Sequence, residues 1–274
     1  MKIAFSTLGC PEFGWRDIYS LAKDFGFDGI EVRGLGNKRF TGPGQPLSEE
    51  QWPHTKQKLE ELRLEISCLS SGCCLKFAEK AEENHNELVR YITLAGKLGT
   101  PYIRILGDSE PQPTGAVDDQ VVLAALRRLI PIAEANQVTL LVETSGAYAD
   151  TKRLGQLLNQ VASDAIGALW DIHHPYRFAG ETPEQTVQHL GAYIKYVHVK
   201  DSVVVDNVIQ YRMLGEGNLP IAQIMSALNS IKYAGYLSLE WVKTWAPDLA
   251  NAGVVFPHFA HYMNRFIEKN TSKG

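Results

Sequence analysis

Residues 139–171 read TLLVETSGAYADTKRLGQLLNQVASDAIGALWD, and this stretch decides the fold. An apolar run closes on Glu143, a helix-like segment follows near 151–161, and a second apolar run closes on Asp171. Neither run alternates strictly between apolar and polar residues, which suits strands buried on both faces. A strand, a helix and the return take about 30 residues, and Glu143 and Asp171 are 28 apart. The pattern continues downstream. KYVHVKDS places His198 27 residues further on, and YLSLEW places Glu240 another 42 on. In a parallel barrel every strand end opens on one mouth, so these four side chains are expected to converge.

The same alternation extends over the whole chain. Strands are expected at Lys2–Ser6, Gly29–Arg33, Glu65–Ser71, Tyr102–Gly107, Thr139–Ser145, Ile166–Asp171, Ile194–Asp201 and Tyr236–Trp241. Helices are expected near 15–25, 48–63, 83–99, 118–136, 151–161, 183–191, 220–230 and 248–268. Thr182-Pro183 offers a helix start, and Gly26 and Gly99 offer stops. Eight strands and eight helices in alternation predict a single-domain (β/α)8 TIM barrel over 1–274. A doubly wound open sheet is the alternative, and it gathers four strand ends less readily. The long third gap is explained by a β-hairpin insertion at 202–217 after strand 7, turning at Asp206-Asn207. The Gly- and Pro-rich segment 34–46 reads as a loop after strand 2, either a substrate cover or mobile.

Composition narrows the function. The chain has 274 residues, a net charge of −4 and 45% hydrophobic residues. That is enough to fill a large core, without the basic excess of a nucleic-acid binder or an 18-residue apolar span. No signal segment is read at the start. Cys10, Cys68, Cys73 and Cys74 form no CxxC pair and read as reduced, buried thiols, so a cytoplasmic location is expected.

Three carboxylates and a histidine at one mouth repel one another unless a cation joins them. Hard oxygen ligands with one imidazole suit one divalent ion, Mn²⁺ foremost, with Mg²⁺, Co²⁺ or Zn²⁺ as alternatives. Such an ion stabilises the oxygen charge that develops when a proton leaves carbon next to a carbonyl.

The motifs VETS, WDIHH, VHVKDS, GEGNLP and SLEW, in this order, resemble the xylose isomerase-like TIM-barrel superfamily of sugar isomerases and epimerases. That superfamily includes ketose 3-epimerases, inosose-processing enzymes and relatives of endonuclease IV. The resemblance implies metal ligation by Glu143, Asp171, His198 and Glu240. It also implies substrate contact by His174 and proton exchange by the paired Glu143 and Glu240. Some positions depart from the pattern. Ser70-Ser71, Gly107-Asp108, Ile209 and Tyr211 stand where the DNA-repair branch has further ligands, and Val204 and Ala149 differ from the ketose 3-epimerases. Endonuclease activity is not expected, and the substrate class stays open among keto-inositols, sugar acids, sugar phosphates and 3-keto-glycosides.

Other candidates carry two readings each. His173 precedes His174, and in an extended backbone the two rings face opposite ways, so His173 is either a support or a bystander. Arg104 lies inside a strand, either as partner of a site carboxylate or as a substrate anchor. Lys200 shares the face of His198 and either meets a substrate oxygen or pairs with Asp201 or Glu216. Trp241, with Trp15, Trp245 and Phe13, forms either an apolar wall for a sugar or ordinary packing. His54, His85 and His189 read as surface residues. The expected function is a metal-dependent sugar isomerase or epimerase acting on a small carbohydrate. The alternatives are a lyase using the same site and a non-catalytic sugar-binding barrel. The C-terminal VVFPHFAHYMNRF either packs on the barrel or forms a homo-oligomer contact.

Overall fold

The computed structural model describes residues 1–35 and 38–271, with side chains through residue 267, so Gly36 and Asn37 of the expected loop lie outside the described residues. Among the described residues there are ten strands: β1 (Lys2–Ser6), β2 (Gly29–Arg33), β3 (Glu65–Cys74), β4 (Tyr102–Leu106), β5 (Thr139–Glu143), β6 (Ile166–Asp171), β7 (Ile194–Val199), β8 (Asp201–Val205), β9 (Val208–Arg212) and β10 (Tyr236–Leu239). Eight of them close a parallel barrel in the order β1-β10-β7-β6-β5-β4-β3-β2, which excludes the open sheet. The strand interiors are buried at nearly every position, as their unbroken apolar runs require.

Among the described residues there are eight α-helices: α1 (Trp15–Asp24), α2 (Trp52–Leu62), α3 (Ala81–Leu98), α4 (Asp119–Ala135), α5 (Thr151–Val161), α6 (Pro183–Leu190), α7 (Ile221–Ser230) and α8 (Ala252–Thr271). Their boundaries follow local chemistry. Thr182 and Gln185 form a capping box around Pro183 at the start of α6, satisfying amide groups that the first turn leaves bare. Gly99 ends α3 with φ +70°, a conformation that costs glycine little.

Contacts cluster in two units, one of residues 1–66 with 198 onward, the other of residues 67–197. In the first, Phe5 meets Phe27 and Phe256 with ring centroids 4.8 and 4.6 Å apart. Phe256, Phe259 and Met263 are fully buried, so the apolar face of α8 packs within its own chain. The hairpin also belongs to this unit. Val205 faces Val208 across a two-residue turn, and Asp206 and Asn207 both take positive φ, 50° and 63°. A tight hairpin needs that pair of conformations, and Asp and Asn tolerate them.

The second unit contains an irregularity that the sequence did not announce. The register of β3 on β4 jumps between Ser70, opposite Arg104, and Cys74, opposite Leu106. Such a bulge re-aims the backbone, and here the Ser71 carbonyl accepts a hydrogen bond from Arg104 Nη1 at 2.9 Å.

Candidate metal centre

Within residues 67–197, Glu143 ends β5 and Asp171 ends β6, and both are essentially solvent-free. Arg104 is buried on β4. Its Nε and Nη2 lie 2.6 and 2.5 Å from Glu143 Oε2. Arg104 is thus paired with the Glu143 carboxylate. Asp171 Oδ1 accepts from the backbone N–H groups of His173 at 2.9 Å and His174 at 3.3 Å. The chain therefore turns immediately after Asp171 into a short helical segment at Pro175–Ala179. The extended backbone that would send the two histidines to opposite faces is absent, which corrects that expectation. Both rings are buried, 5.8 Å apart and nearly perpendicular. Asp171, His173 and His174 each present a potential ligand atom within 4.8 Å of one another.

His174 Nδ1 lies 3.2 Å from the Thr144 carbonyl. A carbonyl only accepts, so that nitrogen carries the proton, and in the neutral ring the lone pair lies on Nε2. Nε2 is 3.7 Å from Asp171 Oδ2. Thr144 Oγ1 in turn accepts from the Asp171 N–H at 2.9 Å, so the VETS motif fixes the strand end that carries Asp171.

Within the other unit, His198 lies near the end of β7 and Glu240 directly follows β10. His198 Nδ1 is 3.4 Å from Glu240 Oε1, and Lys200 Nζ is 2.5 Å from Glu240 Oε2. Lys200 therefore pairs with Glu240, not with Asp201 or Glu216 as one expectation had it. Asp201 does other work: its carboxylate accepts from the N–H groups of Ser202, Gly215, Gly217 and Leu219 at 2.8, 2.9, 3.0 and 3.2 Å. This explains GEGNLP. A Cβ on Gly217 would stand 2.0 Å from Asp201 Oδ1, so only glycine lets the loop close on that carboxylate.

One residue of this unit escaped sequence reasoning. Glu31, in the middle of β2, is buried, and its Oε2 and Oε1 lie 3.0 and 3.2 Å from His198 Nε2. Ser238 Oγ donates to Glu31 Oε2 at 2.8 Å. The signal was a charge inside the apolar run GIEVR, the same signal that singled out Arg104 in YIRIL.

The remaining candidates lie in their surroundings as follows. Trp241 is buried, packs against Gly9, and donates its indole N–H to the Ala250 carbonyl at 2.9 Å. Trp15 meets Phe40, and the exposed Trp245 stacks under the Arg33 guanidinium at 4.7 Å. Arg39 of the loop after β2 donates to the carbonyls of Cys10 and Phe13. His189 is half-buried and bonded to Thr151 Oγ1 at 2.8 Å, which corrects its surface reading. All four cysteines are free and buried. Burial pushes the thiols of Cys10 and Cys73 up to about 12, which makes them poor nucleophiles. Among the described residues no helix is long and apolar enough to cross a membrane.

A family model described as xylose isomerase-like TIM barrel matches residues 19–255. A search of curated proteins by sequence finds no match. Among solved structures, the chain is similar to an IolI protein with a binding zinc atom, with TM-score 0.77, 18% identity, and coverage of 98% of this chain and 99% of that one. It is similar to the probable 3-DHS dehydratase AsbF involved in petrobactin synthesis from Bacillus anthracis, with TM-score 0.76, 18% identity, and coverage of 96% and 99%. A D-psicose 3-epimerase with D-tagatose from Clostridium cellulolyticum H10 gives TM-score 0.76, 15% identity, and coverage of 97% and 99%. At these identities the likeness is one of fold.

Proposed function

The chain belongs to the xylose isomerase-like TIM-barrel family, and from that premise we propose that it is a divalent-metal-dependent isomerase or epimerase of a small carbohydrate. Glu143, Asp171, His198 and Glu240 would hold the ion. Two things support that assignment: β5, β6, β7 and β10 are consecutive in the barrel order, and all four side chains are buried. The donor set of three carboxylates and one imidazole fits a hard or borderline divalent cation. The zinc in the IolI structure favours the same reading. Bound there, the ion would supply charge neutralisation for two adjacent substrate oxygens.

The observation that carries the reaction type is the pair of buried glutamates, each with its own buried cation: Arg104 on Glu143 and Lys200 on Glu240. A buried carboxylate beside a cation is suited to exchange a proton with carbon. Glu143 ends β5 and Glu240 follows β10, strands three places apart in the ring, a spacing on which the two would reach a substrate from different sides. One carboxylate removes the proton next to the carbonyl, and the other, protonated, returns one to carbon. His174, and beside it His173, would bond substrate oxygens. Trp241 would supply an apolar wall, and Arg104 would act through Glu143.

The test is hydrogen exchange. A panel of ketoses and keto-cyclitols in D₂O with Mn²⁺ or Co²⁺ is followed by proton NMR. One member should exchange its α-hydrogen, and Glu143→Gln should slow that exchange by roughly 10²- to 10⁴-fold. No exchange across the panel would rule the reading out. The 2.5 Å contact between Lys200 and Glu240 favours a second reading, a lyase that uses the same proton abstraction. Its ammonium can supply the proton that a departing oxygen needs, and loss of water or of an aglycone would identify that outcome.

A further inference from the structure

We propose that Glu31, anchored by Ser238, is a positioning residue that fixes which nitrogen of His198 is offered to a divalent ion and how strongly it binds. The inference rests on the metal-dependent reading above. A carboxylate inside an apolar strand is costly unless it is bonded. Glu31 faces His198 Nε2 with both oxygens, at 3.0 and 3.2 Å, and takes a third bond from Ser238 Oγ at 2.8 Å. An ionised carboxylate only accepts, so Nε2 carries the proton and the lone pair of the neutral ring is on Nδ1. That nitrogen is the one facing Glu240 Oε1, at 3.4 Å. A carboxylate behind a ligating imidazole fixes its tautomer and orientation and makes it a better donor.

The strand register explains how Glu31 and Ser238 meet. β1 lies between β2 and β10. Ser6 stands opposite Glu31 and Ala4 opposite Ser238. By the two-residue period of a strand, all four side chains share one face. The two contributed by β1 are small, so the long Glu31 side chain can cross above them to Ser238.

The experiment uses the full chain, stripped with a chelator and titrated with Mn²⁺ by calorimetry and with Co²⁺ by visible absorption. Glu31→Gln keeps the shape and an acceptor oxygen, and should weaken binding about 10-fold. Glu31→Leu removes the acceptor and should approach about 100-fold, with a changed Co²⁺ spectrum. Ser238→Ala should give a smaller loss in the same direction. Melting temperatures monitor the fold, and if Glu31→Leu does not fold, the other two variants decide. Folded variants that bind both ions as the wild type does, with the same Co²⁺ spectrum, would reduce Glu31 to a packing role and leave the metal-dependent reading standing. A wild-type chain that binds neither ion would remove that reading and this inference together.

Discussion

Glu143 and Glu240 occupy different units of the chain, and different cations hold them. Arg104 contacts Glu143 Oε2 with two nitrogens, at 2.6 and 2.5 Å, and spends a third on the Ser71 carbonyl. Lys200 contacts Glu240 Oε2 with its single ammonium at 2.5 Å. The guanidinium stays protonated at any pH a protein survives, whereas an ammonium can give up a proton. Glu143 is held by a fixed charge, and its partner Arg104 is braced on the carbonyl of the β3 bulge. Glu240 sits beside a group that can pass a proton to it.

The largest expected effect breaks the first pair. Arg104→Met leaves a buried carboxylate with its cation gone, and such losses cost about 3–5 kcal/mol. Denaturant unfolding should register that loss as a lower midpoint. Arg104→Lys should recover only part of it, because a point charge cannot replace the planar fork that spans Glu143 and the Ser71 carbonyl. Full recovery by lysine would show that the fork is irrelevant and would erase the contrast.

The reciprocal exchange sharpens the comparison. Lys200→Arg keeps a cation on Glu240 but removes the transferable proton. Stability should fall by no more than about 1–3 kcal/mol from overpacking, while turnover on a substrate found by the exchange assay should fall about 100-fold. The split between melting temperature and kcat is the readout. Equal turnover in the two enzymes would leave Lys200 as a counter-ion only.

The two units also differ in how legible they were. Glu143, Asp171, His198 and Glu240 stood out because each interrupts or ends an apolar run at βα spacing, and the structure places them at or beside strand ends. Arg104 stood out as a charge inside YIRIL. Glu31 has the same signature, a charge in the middle of a five-residue strand as Arg104 is, and the reading of the GIEVR run passed over it. The alternation rule failed at His173 and His174 because Asp171 captures the next two N–H groups and turns the chain, a competition between side chain and backbone that strand periodicity does not register. The expected strands at 139–145 and 236–241 overran by two residues each: Thr144, Ser145, Glu240 and Trp241 stay buried, but the ladder has ended before them. The β3 bulge and the loop-stapling aspartates depend on partners far away in sequence, as when Asp201 meets Gly215 and Gly217, and no local pattern encodes them.

Those staples offer the smallest and most specific test of the comparison. Asp201 holds its loop with four backbone N–H groups. Asp108, in the other unit, uses two, from Ser109 at 2.7 Å and Ala147 at 2.8 Å, and adds the Lys76 ammonium at 2.7 Å. Burial pushes the Asp108 carboxyl up, but Lys76 and the two N–H groups outweigh it, so its pKa lies below the usual carboxylate range. A depressed folded value adds stability above the unfolded carboxyl value of about 4, and that contribution is lost as the pH falls through the folded value. Asp108→Asn should therefore cost about 2 kcal/mol near neutrality, and the gap to wild type should close in acid. Lys76→Met should show the same trend at smaller size, because Lys76 is partly solvated and a partly exposed pair contributes less. Unfolding curves collected from pH 3 to pH 7 check both. A gap for Asp108→Asn that does not change with pH would mean that shape, not charge, holds this loop, and the two staples would then be alike.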